Sequence, residues 1–180
     1  MTANIPTLRQ DLQQNYFALL GLAPAYDLDG ADVAKCYYAL QKTVHPDRFA
    51  HDSAQAQRMA AQQAAFVNAA YETLRSPLKR ALYLLELAGV AQTPETTTHD
   101  TAFLMQQMQL RERLEDGTKN LPALDALFAE VQAGIDTQMR EFAQAWQIQN
   151  WPIASSAVNK LQFMSKLAQE IDDKQARLLD

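Results

Sequence analysis

Apolar residues recur every three or four positions through most of this chain and nowhere alternate with polar ones over the length of a strand. Faces of that period can be closed only by packing helix on helix. The interruptions are prolines and glycines, and they mark the helix ends. Asn15 can cap a short helix with Tyr16, Phe17, Leu19 and Leu20 apolar, which Gly21 ends. After a loop from Pro24 to Gly30, Asp29 is the expected cap of a second helix whose buried stripe is Val33, Cys36, Tyr37, Leu40 and Val44. Lys35, Lys42, Gln41 and Tyr38 fall on another face, toward water. Pro46 stops this helix, because it has no amide hydrogen, its ring clashes with the preceding turn, and it drives His45 to extended angles. His45, Asp47 and Arg48 are thereby left on a short, solvent-facing connection, where side chains are available to a partner.

Asp52, with Gln55 three residues on, has the pattern of a capping box for a third helix, whose apolar side is Met59, Phe66, Val67, Ala70 and Leu74. The short connection makes it antiparallel to the second. Ser76 and Pro77 open a fourth helix carrying Leu78, Leu82, Leu85 and Ala88 to a stop at Gly89. Val90 to His99, with Pro94 and three consecutive threonines, has no helical period and reads as a linker. Asp100 then caps a helix from Thr101 to Asp116, ended by Gly117. Leu124, Phe128, Val131, Ile135, Phe142 and Trp146 form the stripe of the next, in which Gly134 costs about 1 kcal/mol relative to alanine. Trp151 and Pro152 break the chain again, and Ile153, Ala157, Leu161, Met164, Ala168, Ile171 and Leu178 line a last long helix. The expected fold is all-α: an extension over 1–14, a four-helix domain with an antiparallel hairpin over 15–89, a linker over 90–99, and an antiparallel three-helix bundle over 100–180.

Charge and cysteine usage exclude several functions. With 16 basic and 21 acidic residues the net charge is -5, which argues against nucleic acid and against anionic membrane. The one cysteine, Cys36, rules out an internal disulfide and any multi-cysteine metal site, and fits a reducing compartment. Residues 1–14 lack an apolar run of signal-peptide length, and no segment is apolar enough to span a bilayer, so cytoplasm is expected. A small metal-dependent hydrolase using His45, Asp47 and His51 is the reading from another class. It needs a third ligand or an activated nucleophile, and neither Cys36, on a core stripe, nor distant His99 supplies one. No catalysis, metal or cofactor is therefore expected.

The fifth helix is unusual. At about 100° per residue, Phe103, Leu110 and Leu114 cluster within roughly 40° of one another, a core stripe. Leu104, Met105 and Met108 fall about 100 to 200° around, beside Glu112, as a second apolar face. Either neighbouring elements cover that face or a partner does, and methionines suit an adaptable contact. Phe163 projects about 90° from the centre of the last stripe, as a core-edge aromatic or part of the same exposed patch.

His45-Pro46-Asp47 lies between two antiparallel helices, after Tyr16-Phe17-Ala18-Leu19-Leu20-Gly21-Leu22 and before Asn68-Ala69-Ala70-Tyr71-Glu72-Thr73-Leu74. In motif and order this resembles the J-domain of DnaJ-type co-chaperones, over roughly residues 15–76. Arg80-Ala81-Leu82-Tyr83-Leu84-Leu85 and Asp100-Thr101-Ala102-Phe103-Leu104-Met105 extend the resemblance to the HscB type, the co-chaperone of iron-sulfur cluster assembly. The resemblance implies that the J-domain stimulates ATP hydrolysis by an HscA/DnaK-type heat-shock chaperone through His45, Pro46, Asp47, Arg48, Lys35 and Lys42. It also implies that an IscU-type scaffold is held by Leu104, Met105, Met108, Gln109, Glu112, Asp116 and Phe163; another client of the same J-domain is the nearer alternative. General J-proteins carry more basic residues on the second helix than Lys35 and Lys42, which favours a dedicated chaperone. Gln109 stands where relatives are often acidic, and the cysteine-rich N-terminal zinc module of some relatives has no counterpart here.

Overall fold

The computed structural model describes residues 15–91, 100–117 and 120–179; the extension over 1–14 and the greater part of the expected linker, including His99, lie outside the described residues. Among the described residues seven α-helices follow one another: α1 (Tyr16–Leu19), α2 (Gly30–Val44), α3 (Ala54–Arg75), α4 (Pro77–Leu87), α5 (Thr101–Asp116), α6 (Leu121–Gln147) and α7 (Trp151–Leu179), with a 3-10 turn (Pro46–Phe49) between α2 and α3. There is no strand among the described residues, and the expected all-α class is what the chain adopts. It divides into two compact units, 1–84 and 85–180, the division falling within α4.

In the first unit the expected caps hold. The Asn15 side chain accepts from Ala18 N–H and that of Asp29 from Ala31 N–H. Phe17, Val33, Val44, Ala70, Leu74 and Leu84 are wholly buried. Midway along the α2–α3 hairpin Tyr37 stacks on Tyr71, with centroids 4.1 Å apart, and its hydroxyl donates to Asn68 Oδ1 at 2.9 Å. Two expectations are corrected. Ser53, not Asp52, caps α3: Asp52 N–H is still bonded to Phe49 O at the end of the 3-10 turn, so the chain first becomes extended at Ser53, whose Oγ accepts from Ala56 N–H at 3.2 Å. On α4 the buried positions are Arg80, Ala81, Leu84 and Leu85, while Leu78 and Leu82 are half-buried and Ala88 is exposed. An all-apolar reading misses that phase, because one inward position is an arginine. Arg80 Nε donates to Leu74 O at 2.7 Å, its Nη1 donates to Tyr26 O, and its guanidinium lies over the Tyr26 ring. Burial, the largest effect, raises the Tyr26 hydroxyl to about 12 and lowers the Arg80 guanidinium.

In the second unit α6 and α7 form a long hairpin, and α5 lies against it. The core joins Phe103, Leu110 and Leu114 of α5 to Leu124, Leu127 and Val131 of α6 and to Met164, Leu167, Ala168 and Ile171 of α7. Leu127 and Leu167 escape the sequence stripes, since each adjoins a stripe member, Phe128 or Ala168, about 100° around the helix, and a single line of positions cannot describe a helix gripped from two sides. Conversely Ile153 and Leu178 are exposed, at 42% and 40%. Gln175 Nε2 reaches Asp125 Oδ1 near the start of α6, so Leu178 has run almost past the end of its neighbour. Gly134 does not interrupt α6; a methyl group there would meet only the thioether end of Met164, at 3.2 Å.

Candidate functional site

The tip of the α2–α3 hairpin is built by Pro46. His45 ends α2 with φ -59° and ψ 127°, the extended conformation a following proline demands, and Pro46 opens the 3-10 turn. His45 Nδ1 accepts from Asp47 N–H at 3.3 Å and lies 3.5 Å from Asp47 Oδ2. It cannot serve both as acceptor and as donor, and the shorter amide contact corresponds to the tautomer protonated on Nε2. That nitrogen is left for another molecule. His45, Asp47 and Arg48 are exposed, and the Asp47 side chain keeps 89% of its surface. Arg48 Nη1 donates to Lys42 O at 3.1 Å, tying the arginine to the last turn of α2 and satisfying a carbonyl that the helix end would orphan. Lys35 and Lys42 are exposed on α2, and Tyr38, 56% exposed, falls on the same face by its spacing of three and four from them. Among the described residues no three His, Cys, Asp or Glu side chains converge to hold a metal ion.

The second candidate face is on α5. Phe103, Leu110 and Leu114 are buried, as their spacing requires, while Leu104, Met105 and Met108 keep 36%, 58% and 73% of their surface. Gln109, Glu112 and Asp116 are exposed alongside. The outward apolar face is not needed to seat the helix, because polar ties fix α5 at several points: Lys160 Nζ to Asp100 Oδ2 at 2.9 Å, Arg111 to Glu170 at 3.2 Å, Arg113 to Glu130 at 2.6 Å, and Lys174 Nζ to Leu114 O at 3.2 Å. The hydrogen bond from Lys160, followed by that from Phe103 N–H, holds the Asp100 carboxyl below its ordinary range.

Phe163 is half-buried. Its ring meets Phe103 edge to face, with centroids 5.7 Å apart, and Arg111 lies over it at 5.5 Å while Lys160 lies over Phe103 at 5.5 Å. Two rings are thus enclosed between two cations, each held by a carboxylate. Spacing along one helix gives no sign of this clamp, because its members come from α5 and α7 in alternation.

A hairpin with His-Pro-Asp at its turn, followed in one chain by a helical bundle, defines a J-domain protein with an added module. The family models divide the chain accordingly, a DnaJ domain matching residues 15–83 and an HSCB C-terminal oligomerisation domain matching 99–172. The chain is 41% identical over 173 residues to the co-chaperone protein HscB homolog of Shewanella baltica, spanning 92% of this chain and 99% of that one. Its fold is similar to the chaperone HscB of Vibrio cholerae, with a TM-score of 0.83 at 39% identity over 91% of this chain and 99% of the other. Human co-chaperone HscB gives 0.86 at 28% identity over 99% and 87%. The chain belongs to the HscB family of co-chaperones, which act in iron-sulfur cluster biogenesis. Such a co-chaperone works with an Hsp70-type ATPase and a scaffold protein. No helix among the described residues is long and apolar enough to cross a membrane.

Proposed function

We propose that this chain joins two proteins through its two faces in the cytoplasm and itself catalyses nothing. His45, Pro46, Asp47 and Arg48, with Lys35 and Lys42, contact the Hsp70-type chaperone, an HscA/DnaK-type ATPase, and bias it toward its hydrolysing state. Leu104, Met105, Met108, Gln109, Glu112, Asp116 and Phe163 hold an IscU-type scaffold. The domain limits follow this division of labour: a J-domain over 15–89, a linker over 90–99 and a cargo-binding bundle over 100–180.

The observation that carries the reading is the solvent-facing Leu104, Met105 and Met108 on a helix whose opposite face is already buried. Apolar surface left open on an otherwise well-packed element marks an interaction site. At the other face, His45 and Asp47 are exposed, as a docking motif requires. The test is the ATPase rate of the chaperone with and without the scaffold while this protein is varied. Asp47→Asn keeps the turn, since the contact to His45 runs through the Asp47 backbone amide, but removes the charge. It should abolish stimulation and leave the melting temperature unchanged. Normal stimulation by that variant would overturn the role of the tip.

A further inference from the structure

Next to the tip, the 3-10 turn and the first turns of α3 leave a groove of about 180 Å³. Phe49, Ala56, Met59 and Ala60 give it apolar walls, and Gln63 lines it as well. Gln63 is only 7% exposed. A carboxamide beside an apolar groove is a polar group with which an occupant can pair. The groove is also preformed, because Gln57 Nε2 donates to both Ala50 O and Asp52 O at 3.1 Å and pins the loop over the start of α3.

Size and continuity decide what fills it. A stable protein interface takes roughly 20–30 residues a side, so a chaperone seated on His45 and Asp47 must run onto neighbouring surface. Phe49 is two residues beyond Asp47, which makes the groove the direct continuation of that footprint along α3. A space of about 180 Å³ admits one leucine- or methionine-sized side chain and no helix. A carboxamide, with donor and acceptor side by side, is the complement of a peptide group. We propose that the groove bounded by Phe49, Ala56, Met59 and Gln63 takes one aliphatic side chain of an extended segment of the Hsp70-type chaperone, whose peptide group pairs with Gln63. This rests on the reading of the tip given above, and adds to it a second contact with the same chaperone.

The experiment titrates the full chain into the ATP-loaded chaperone and follows hydrolysis for wild type, Ala56→Trp, Gln63→Met and Asp47→Asn. Ala56→Trp fills the groove and should raise the half-saturating concentration about tenfold or more, with maximal stimulation kept within about twofold. Gln63→Met keeps the length but removes the amide, and should raise it about three- to tenfold while melting no lower than wild type. A half-saturating concentration for Ala56→Trp within about twofold of wild type overturns the groove site. Self-association of the wild-type chain that Ala56→Trp abolishes would assign the groove to a second copy and equally overturn it. Normal stimulation by Asp47→Asn is a different result, since it removes the tip reading itself. Should Ala56→Trp fail to fold, the Met59 methyl resonance of labelled wild-type protein decides: a shift on adding ATP-loaded chaperone supports the site, and no shift at saturation overturns it.

Discussion

Truncating the open face of α5 tests its role with a magnitude that the structure supplies. Burying a fully exposed methionine or leucine side chain contributes about 1.5 to 3 kcal/mol. Scaled by what each still exposes, that is about 0.9 to 1.7 kcal/mol for Met105 at 58% and about 1.1 to 2.2 kcal/mol for Met108 at 73%. Leu104, at 36%, has about 0.5 to 1.1 kcal/mol to give. Alanine retains the first methyl of each. The triple variant Leu104→Ala, Met105→Ala, Met108→Ala should therefore lose about 2 to 4 kcal/mol of scaffold affinity, a factor of about 30 to 700. The same variant should keep its melting temperature, since surface substitutions away from packed features usually stay within about 0.5 kcal/mol. Calorimetric titration against the scaffold, paired with a thermal melt, reads both. Affinity within about threefold of the parent would refute the reasoning. A clear fall in melting temperature would show instead that the face is packed within the protein.

Phe163→Ala should behave differently, lowering both scaffold affinity and the stability of the bundle by about 1 kcal/mol or more, because its ring packs on Phe103 and the core as well as facing outward. Arg111→Ala should weaken scaffold binding by about 0.5 to 1 kcal/mol by releasing the Phe163 ring, and titration of the single variant checks it. Tyr26 is raised to about 12 in the fold, so the stability it contributes is complete below pH 10 and is lost as pH rises from 10 toward 12. Over that range wild type should lose stability relative to Tyr26→Phe, measured as diverging urea midpoints, and parallel midpoints would refute it. Gly134→Ala should raise stability by up to about 1 kcal/mol, since the added methyl meets only the flexible end of Met164; a lower melting temperature would show that this contact does not yield.

Helix positions and most caps were legible because they depend on local chemistry: Asn15, Asp29 and Asp100 each accept from an amide two or three residues on. The outward face of α5 was legible for the same reason, since 100° per residue separates Met105 from Leu110 whatever surrounds the helix. The cap of α3 was missed because a 3-10 turn carried the chain one residue further than a simple loop would. Arg80 and the ring pair of Phe103 and Phe163 were hidden for another reason. Their roles are set by groups far apart in sequence: Arg80 bonds Tyr26 across 54 positions, and Arg111 reaches Glu170 across 59. The groove at Gln63 was invisible likewise, since a polar residue within an alanine-rich helix reads as solvated until its neighbours are placed.

The fastening by Arg80 bears on where this chain can be cut. Its two donated bonds hold the carbonyls of Leu74 and Tyr26, and three residues on, the hydroxyl of Tyr83 accepts from Tyr16 N–H at 2.9 Å. A fragment trimmed to the hairpin, stopping at Ser76, would strand all three backbone groups and uncover the Tyr26 ring. A graft of this module onto another protein must carry α4 through Tyr83 to remain folded.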